Sequence, residues 1–287
     1  MRIIFLGTNG WYSTETGNTP CVLLDTNQGY VLFDAGDGMY KLDQYLTDDK
    51  PIYLFLSHFH LDHIIGIHTL SKLKRKQKMH VCGQAGTEKI LESLIRKPFT
   101  VPLWNLSLEI TVKELTEGKH NVPFPVVCSP LVHSDPCFGY RVELEGKAVT
   151  YCTDTGICDN AVRLAKDADV LIHECALKSG QHDEKWPHTN PEEAAEVARK
   201  AKAKQLVLIH FDAAVYRSVE DRKNHIRKYC RSRRWDAAYY LEPSSGKKWV
   251  KKHGLRVSFC LSNSNGGRPI SFEKRVNGHW VHPAEPR

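Results

Sequence analysis

Several things are missing from these 287 residues, and each absence narrows the field. No apolar run approaches the roughly 20 residues that a membrane-spanning helix requires, so no membrane partner is expected. The opening MRIIFLG lacks the charged, apolar and small-residue regions of a secretion signal, and the expected location is cytoplasmic. Nine cysteines (21, 82, 128, 137, 152, 158, 175, 230 and 260) form no CxxC pair, and several sit inside apolar runs where a reduced thiol behaves as a small hydrophobe. A disulfide framework is therefore not expected. Internal repeats and long low-complexity segments are absent too. With 41% hydrophobic and 25% charged residues, the chain has an ordinary globular composition and room for one large or two smaller domains.

Net charge is absent from most of the chain. The formal charge of +7 arises between Pro243 and Arg287, where nine Lys or Arg face only Glu273 and Glu285, while residues 1–242 balance to zero. We therefore expect two units, a domain over 1–242 and a basic C-terminal β extension over 243–287 that meets an anionic surface. Within the extension, LRVSFCLS alternates in strand fashion and ISFEKRV-NG-HWV has the pattern of a hairpin with a two-residue Asn277-Gly278 turn. Trp249 and Trp280 lie among its cations, a mixture suited to base stacking, although no RNA-binding motif is present. Two further basic stretches, KLKRKQK (72–78) and RKNHIRKYCRSRR (222–234), either track a phosphate backbone or form solvated helix faces; the second role is the commoner one.

Short apolar, β-branched runs open the chain (RIIFL, CVLLD, GYVLFD), separated by Gly, Asn and Asp turns, and IYLFL follows at 52–56. Further strands are expected at 79–82, 106–113, 125–132, 138–144, 147–152, 169–173 and 206–210. Helices are expected at 66–76, 84–96, 159–166, 191–203 and 218–229, the fourth with a strong start signal in Asn190, Pro191, Glu192 and Glu193. Strands followed by mixed α/β segments occur twice, with a break at 114–124, which implies an α/β protein of two similar halves layered helix, sheet, sheet, helix.

His58, His60, Asp62 and His63 fall within six residues directly after the buried run IYLFL. Two histidines one residue apart can share a direction from an extended turn, and the Asp and His beyond them reach a second point. Imidazole suits Zn, Mn or Fe and carboxylate suits harder ions, so the cluster favours a pair of cations over a single structural site. His133, Asp154 and His210 each follow another strand run and can converge on the same sheet edge. One cation would take His58, His60, His133 and Asp154; the second would take Asp62, His63, Asp154 and His210. A carboxylate shared by cations roughly 3.5 to 4 Å apart leaves room for a bridging hydroxide, the nucleophile of two-metal hydrolysis. The expected cofactors are two divalent metal ions, zinc first, with manganese or iron as alternatives.

SHFHLDH resembles the signature of the metallo-β-lactamase superfamily. FLGTNG, FDAGDG, HSDPCFGYRVE, YCTDTG, DVLIHEC, WPHTNPEEAAEVA and LVLIHFD resemble its ribonuclease Z branch, over about residues 1–215. The resemblance implies an αββα sandwich with the small C-terminal β addition outside it, the ligand set above, and phosphodiester hydrolysis. It also implies that His188 protonates the leaving oxygen, that Glu174 is its acidic partner, and that Asp34 braces the signature loop. His182 is a lower-ranked competitor for the acid role. His188, Glu174 and Asp62 are thus the expected catalytic residues, Asp62 being a ligand as well. An imidazole of pKa near 6.5 can donate at neutral pH, and an adjacent carboxylate keeps it charged and oriented. Enzymes of the branch that process tRNA carry a protruding arm between the residues matched by His133 and Asp154. Here these are 21 positions apart, enough for two strands and a turn.

The expected function is hydrolysis of a phosphodiester in a nucleotide, cyclic nucleotide or RNA, with nucleic acid also met by the basic extension. The branch further implies a homodimer. The alternative is hydrolysis of a carboxylic ester, lactone or thioester by the same centre, because one fold hosts many chemistries. A nucleic-acid-binding module with a vestigial site is a third reading, and the complete ligand set argues against it.

Overall fold

The computed structural model describes residues 1–73 and 76–230, together with the short strands Ala238–Tyr239, Arg275–Val276 and His279–Trp280. The first sheet has the order β1 (Arg2–Gly7), β3 (Cys21–Thr26), β4 (Gly29–Phe33), β5 (Ile52–Phe55), β6 (Lys78–Gly83) and β7 (Glu109–Glu114). Its β1, β3 and β4 run antiparallel, and β4 through β7 are parallel. The second sheet has the order β15 (Ala238–Tyr239), β13 (Leu206–Ile209), β12 (Val170–Glu174), β11 (Lys147–Cys152), β10 (Phe138–Leu144), β9 (Pro125–Pro130) and β8 (Gly118–Asn121). It repeats the plan: antiparallel from β8 to β11, parallel from β11 onward. A two-strand link, β2 (Asn9–Gly10) with β14 (Phe211–Asp212), ties the start of the chain to the end of the second half.

Alternation in the strands explains the layering. In β3, Val22 and Leu24 face the core between the sheets while Leu23 joins the core under the helices, so the whole strand is buried. Between the sheets, Phe33 stacks on Tyr151 with centroids 4.9 Å apart, and Phe55 meets Tyr140 at 5.3 Å. The outer face of the first sheet packs against a 3-10 helix at Asp37–Gln44, the turn α1 (Leu61–Ile64), a second 3-10 helix at Ile65–Lys72 and α2 (Thr87–Leu94). The second sheet is covered by α3 (Asp159–Leu164), α4 (Pro191–Ala201) and α5 (Val219–Cys230). The architecture is the αββα sandwich expected from the sequence.

Some expectations need correction. The helix expected over 66–76 is 3-10 over Ile65–Lys72, and its Gly66 lies so close to the Gly36 and Ala35 carbonyl oxygens that a Cβ there would collide with them. The break expected at 114–124 contains β8, whose polar sequence GKHN hid an edge strand. The strand expected over 125–132 stops at Pro130, and the Asp37–Gln44 helix lies in a segment for which no element was expected. In the basic stretch 222–234, Arg222 is no surface cation. It is fully buried, donates from Nη2 to Asn9 Oδ1 and Thr16 Oγ1 at 2.7 Å each, and lies 4.8 Å from the Phe211 ring centre. Lys74, Arg75 and residues 231–234 of the basic stretches lie outside the described residues, as do the boundary after Glu242 and most of the extension. Arg275–Val276 does pair antiparallel with His279–Trp280, the register of a hairpin across 277–278. The interval between His133 and Asp154 is filled by β10 and β11, joined through Glu145 and Gly146.

Candidate metal centre

Both parallel halves end their strands at one edge of the sandwich, and the polar groups gather there. His58 follows β5, His133 follows β9, Asp154 follows β11 and His210 follows β13. Asp34, Asp154 and His210 leave their strands in the left-handed backbone region, at φ 56°, 50° and 55°. Non-glycine residues held there cost energy that the surroundings must repay, and such positions cluster at functional sites.

Asp154 lies in the middle and divides its two oxygens. Oδ2 faces His58 Nε2 at 3.7 Å and His133 Nε2 at 3.8 Å, while Oδ1 stands 3.2 Å from both His63 Nε2 and His210 Nε2. Donor atoms of His58, His60, His133 and Asp154 lie within 4.8 Å of one another, and those of Asp62, His63 and His210 form a second such group. Asp62 Oδ2 is 3.3 Å from His210 Nε2 and 3.4 Å from His63 Nε2. The seven residues singled out in the sequence thus lie together at this edge; the second group holds Asp62, His63 and His210, and Asp154, expected in both sets, reaches it through Oδ1.

Fit to a cation can be judged from the side chains. His58 Nε2 and His63 Nε2 are buried and have no hydrogen-bond partner, which is costly unless something accepts their lone pairs. Burial pulls His63 down, but the charges of Asp154, Asp62 and Asp34 outweigh it and hold its proton well above the ordinary range. Burial instead keeps His58 far below the ordinary range and brings His133 to about 4. Burial would raise Asp62, yet His63 and His210 hold it well below the carboxylate range. Carboxylates that draw a proton onto His63, set beside the neutral imidazoles of His58 and His133, want positive charge, and divalent cations suit that demand.

Outer partners aim the rings. Asp34, wholly buried, accepts from Ser57 N at 2.7 Å through Oδ1; its Oδ2 takes Ser57 Oγ at 2.9 Å, Tyr151 Oη at 2.7 Å and lies 2.7 Å from His63 Nδ1. It does brace the signature loop. Gly36 serves the same end, since a Cβ there would collide with the Asp62 carbonyl oxygen. Asp135 was overlooked: its Oδ2 is 2.9 Å from His60 Nε2, leaving Nδ1 of that ring toward His133 Nε2 at 3.2 Å. The only signal was its place in the HSDP segment. Ser57 Oγ, 2.9 Å from His58 Nδ1, was also not singled out.

Glu174 ends β12 and is fully buried. Its Oε1 accepts from Thr155 N at 2.9 Å and lies 2.7 Å from His188 Nδ1, and its Oε2 accepts from Ala176 N at 2.9 Å. Burial pulls the His188 proton off, but the Glu174 charge and hydrogen bond win and raise His188 to about 9. Helix α4 sets where His188 stands. Asn190 Oδ1 accepts from Glu193 N at 2.9 Å while Glu193 Oε2 accepts from Asn190 N at 3.0 Å, a capping box with Pro191 at the first turn. Donor atoms of His188, Asp154 and His210 lie within 4.8 Å of one another. His182 stands apart, exposed and 3.1 Å from Glu193 Oε1.

An αββα sandwich with paired His/Asp donor groups at its strand ends defines a metal-dependent hydrolase. Residues 30–211 match the family model of the β-lactamase superfamily domain, and the chain belongs to that superfamily, in its ribonuclease Z-like branch. The chain is 27% identical to the ribonuclease Z of Pyrococcus horikoshii over 268 residues, covering 73% of this chain and 86% of that protein. Among solved structures, the short form of human tRNase Z is 27% identical and superposes with a TM-score of 0.62, covering 75% of this chain and 94% of the other. The metallo-β-lactamase fold protein YhfI of Bacillus subtilis is 23% identical with a TM-score of 0.65, over 79% and 90%, and shares the fold. Among the described residues, no helix is long and apolar enough to cross a membrane.

Proposed function

We propose that this protein is a dinuclear phosphodiesterase that cleaves RNA or a smaller nucleotide diester, with His188 as the general acid. The observation that carries this reading is the His188–Glu174 pair, 2.7 Å apart and within 4.8 Å of Asp154 and His210 through the imidazole. A carboxylic ester or lactone places no comparable demand on an acid, whereas an alkoxide leaving phosphorus needs a proton. Relatives named ribonuclease Z and tRNase Z support RNA as the substrate class. The compact β10–β11 hairpin in the arm's interval favours diesters shorter than a whole tRNA.

His58, His60, His133 and Asp154 would hold one divalent ion, and Asp62, His63, His210 and Asp154 the other. Bound there, the pair supplies Lewis acidity toward the phosphoryl oxygens and an activated water as nucleophile. The chain's own groups do the rest. Asp154 spaces the two donor sets, and Asp34 and Asp135 keep His63 and His60 from turning. Glu174 keeps a proton on His188 Nδ1 and fixes the ring so that Nε2 can donate to the leaving oxygen. Zinc is the first choice of ion and manganese or iron the alternatives; the basic 243–287 extension is the proposed RNA-binding surface, and a homodimer remains part of the proposal. The test is hydrolysis of bis(p-nitrophenyl) phosphate and of p-nitrophenyl acetate by zinc- or manganese-loaded protein. Metal-dependent cleavage of the diester is the expected result. Cleavage of the acetate alone would overturn the reading and point to ester or lactone substrates.

A further inference from the structure

We infer that Trp11 is a nucleobase-stacking residue of the substrate site, so that the enzyme selects diesters carrying a base beside the scissile phosphate; this rests on the phosphodiesterase reading above. Large apolar side chains are exposed around a centre built for charge. Trp11 is 66% exposed and Leu61, between His60 and Asp62, 61%; Val132, beside His133, is 49% exposed. Trp186 is 36% exposed, with its ring 4.3 Å from that of His188. Scattered exposed hydrophobics need no explanation, but a set of them gathered on one polar site marks a ligand surface. The ligand they suit is charged where it meets the donor groups and flat and apolar one sugar away, as a nucleotide is.

Trp11 is held for this role. Its backbone N–H donates to Asp62 Oδ2 at 2.8 Å, which ties the residue to the donor group of His63 and His210. It adopts φ 73°, a conformation that a bulky residue takes only under constraint. The constraints are visible. Gly10 has no room for a Cβ, which would lie 2.7 Å from the His210 ring; Tyr12 N donates to Gly10 O at 3.0 Å; Asn9 Nδ2 donates to Tyr12 O at 3.3 Å and Thr14 Oγ1 at 3.0 Å. The buried Arg222 grips Asn9 in turn. Against this fixed backbone the indole's one ring contact among the described residues is edge-to-face with Tyr12, at 5.3 Å between centroids. No packing need explains an exposed indole on so firm a base, whereas an aromatic platform set in advance spares a base the cost of ordering its partner.

The experiment uses the full-length, zinc-loaded protein and compares kcat/KM for adenylyl-adenosine with that for the same dinucleotide lacking one base or the other. Wild type should favour the intact substrate about 10- to 100-fold over at least one abasic analogue. Trp11→Ala should lose that preference and cleave the abasic analogue as wild type does, while Trp11→Phe keeps most of it; metal content measured on each variant shows that the donor set is loaded. Equal wild-type rates on intact and abasic diesters would overturn the inference and leave the phosphodiesterase reading standing. So would a Trp11→Ala loss shared by both substrates, which would make the residue a support for Asp62 alone. A preference for a lysophospholipid over every dinucleotide would overturn it in favour of an acyl-chain surface. Failure to cleave any diester would overturn the phosphodiesterase reading, and the inference with it.

Discussion

Glu174 Oε1 stands 2.7 Å from His188 Nδ1, and the residues are joined through different elements, Glu174 ending β12 and His188 preceding the cap of α4. The carboxylate occupies Nδ1, stabilises the charged form of the ring and fixes its orientation.

Replacing His188 by Ala should therefore lower kcat on a dinucleotide about 10²- to 10⁴-fold and spare bis(p-nitrophenyl) phosphate, whose leaving group departs without a proton. Steady-state kinetics on both substrates checks the contrast, and equal losses would remove His188 from the acid role.

Glu174→Gln should move the alkaline limb of the kcat/KM profile to lower pH. Burial alone depresses His188, and the Glu174 charge is what raises it, so a neutral amide lets the proton leave earlier as pH climbs. A pH series on a dinucleotide measures the limb; no displacement, or one toward higher pH, contradicts the pairing.

Asp154 and Asp135 should differ in their effect on metal content. Asp154→Ala removes an oxygen from both donor groups and should take bound zinc from about two equivalents to below one, while His133→Ala should leave about one. Asp135→Ala leaves every donor in place but frees His60, and should weaken binding about 10- to 100-fold. Elemental analysis and competition with a chelating dye read the two effects separately.

Away from the site, Asp25 lies between Arg2 Nε at 2.9 Å and Lys50 Nζ at 2.7 Å. Burial would raise its pKa, but the hydrogen bonds and charges of Lys50 and Arg2 bring it below the ordinary value. A depressed folded-state pKa contributes stability that is present above the unfolded value near 3.9 and lost as pH falls through the folded one. Asp25→Asn should thus cost roughly 1 kcal/mol at neutral pH and progressively less below about pH 4, as measured by urea unfolding across pH.

Six consecutive positions hold His58, His60, Asp62 and His63 after a buried strand, so this part of the centre was legible from the sequence: ligand type and spacing along a turn are local properties. The same holds for the start of α4, where Asn190, Pro191 and Glu193 cap the helix with their own side chains. Strand β8 was not legible, because an edge strand with the sequence GKHN buries too little to show alternation. Arg222 was misread with its neighbours, because charge along a helix says nothing of which turn faces the core; its partners Asn9 and Thr16 come from the other end of the chain.

By itself the sequence determined the αββα layering, through two rounds of apolar strand runs and helices, and the chemical kinds of donor that follow those strands. Tertiary structure alone decided that Asp154 offers one oxygen to each donor group, that Asp135 reaches His60 from 75 positions away, and that Trp11 is anchored on Asp62. These relations depend on how the two sheets meet and on where each strand stops, and no pattern within a single segment carries that information.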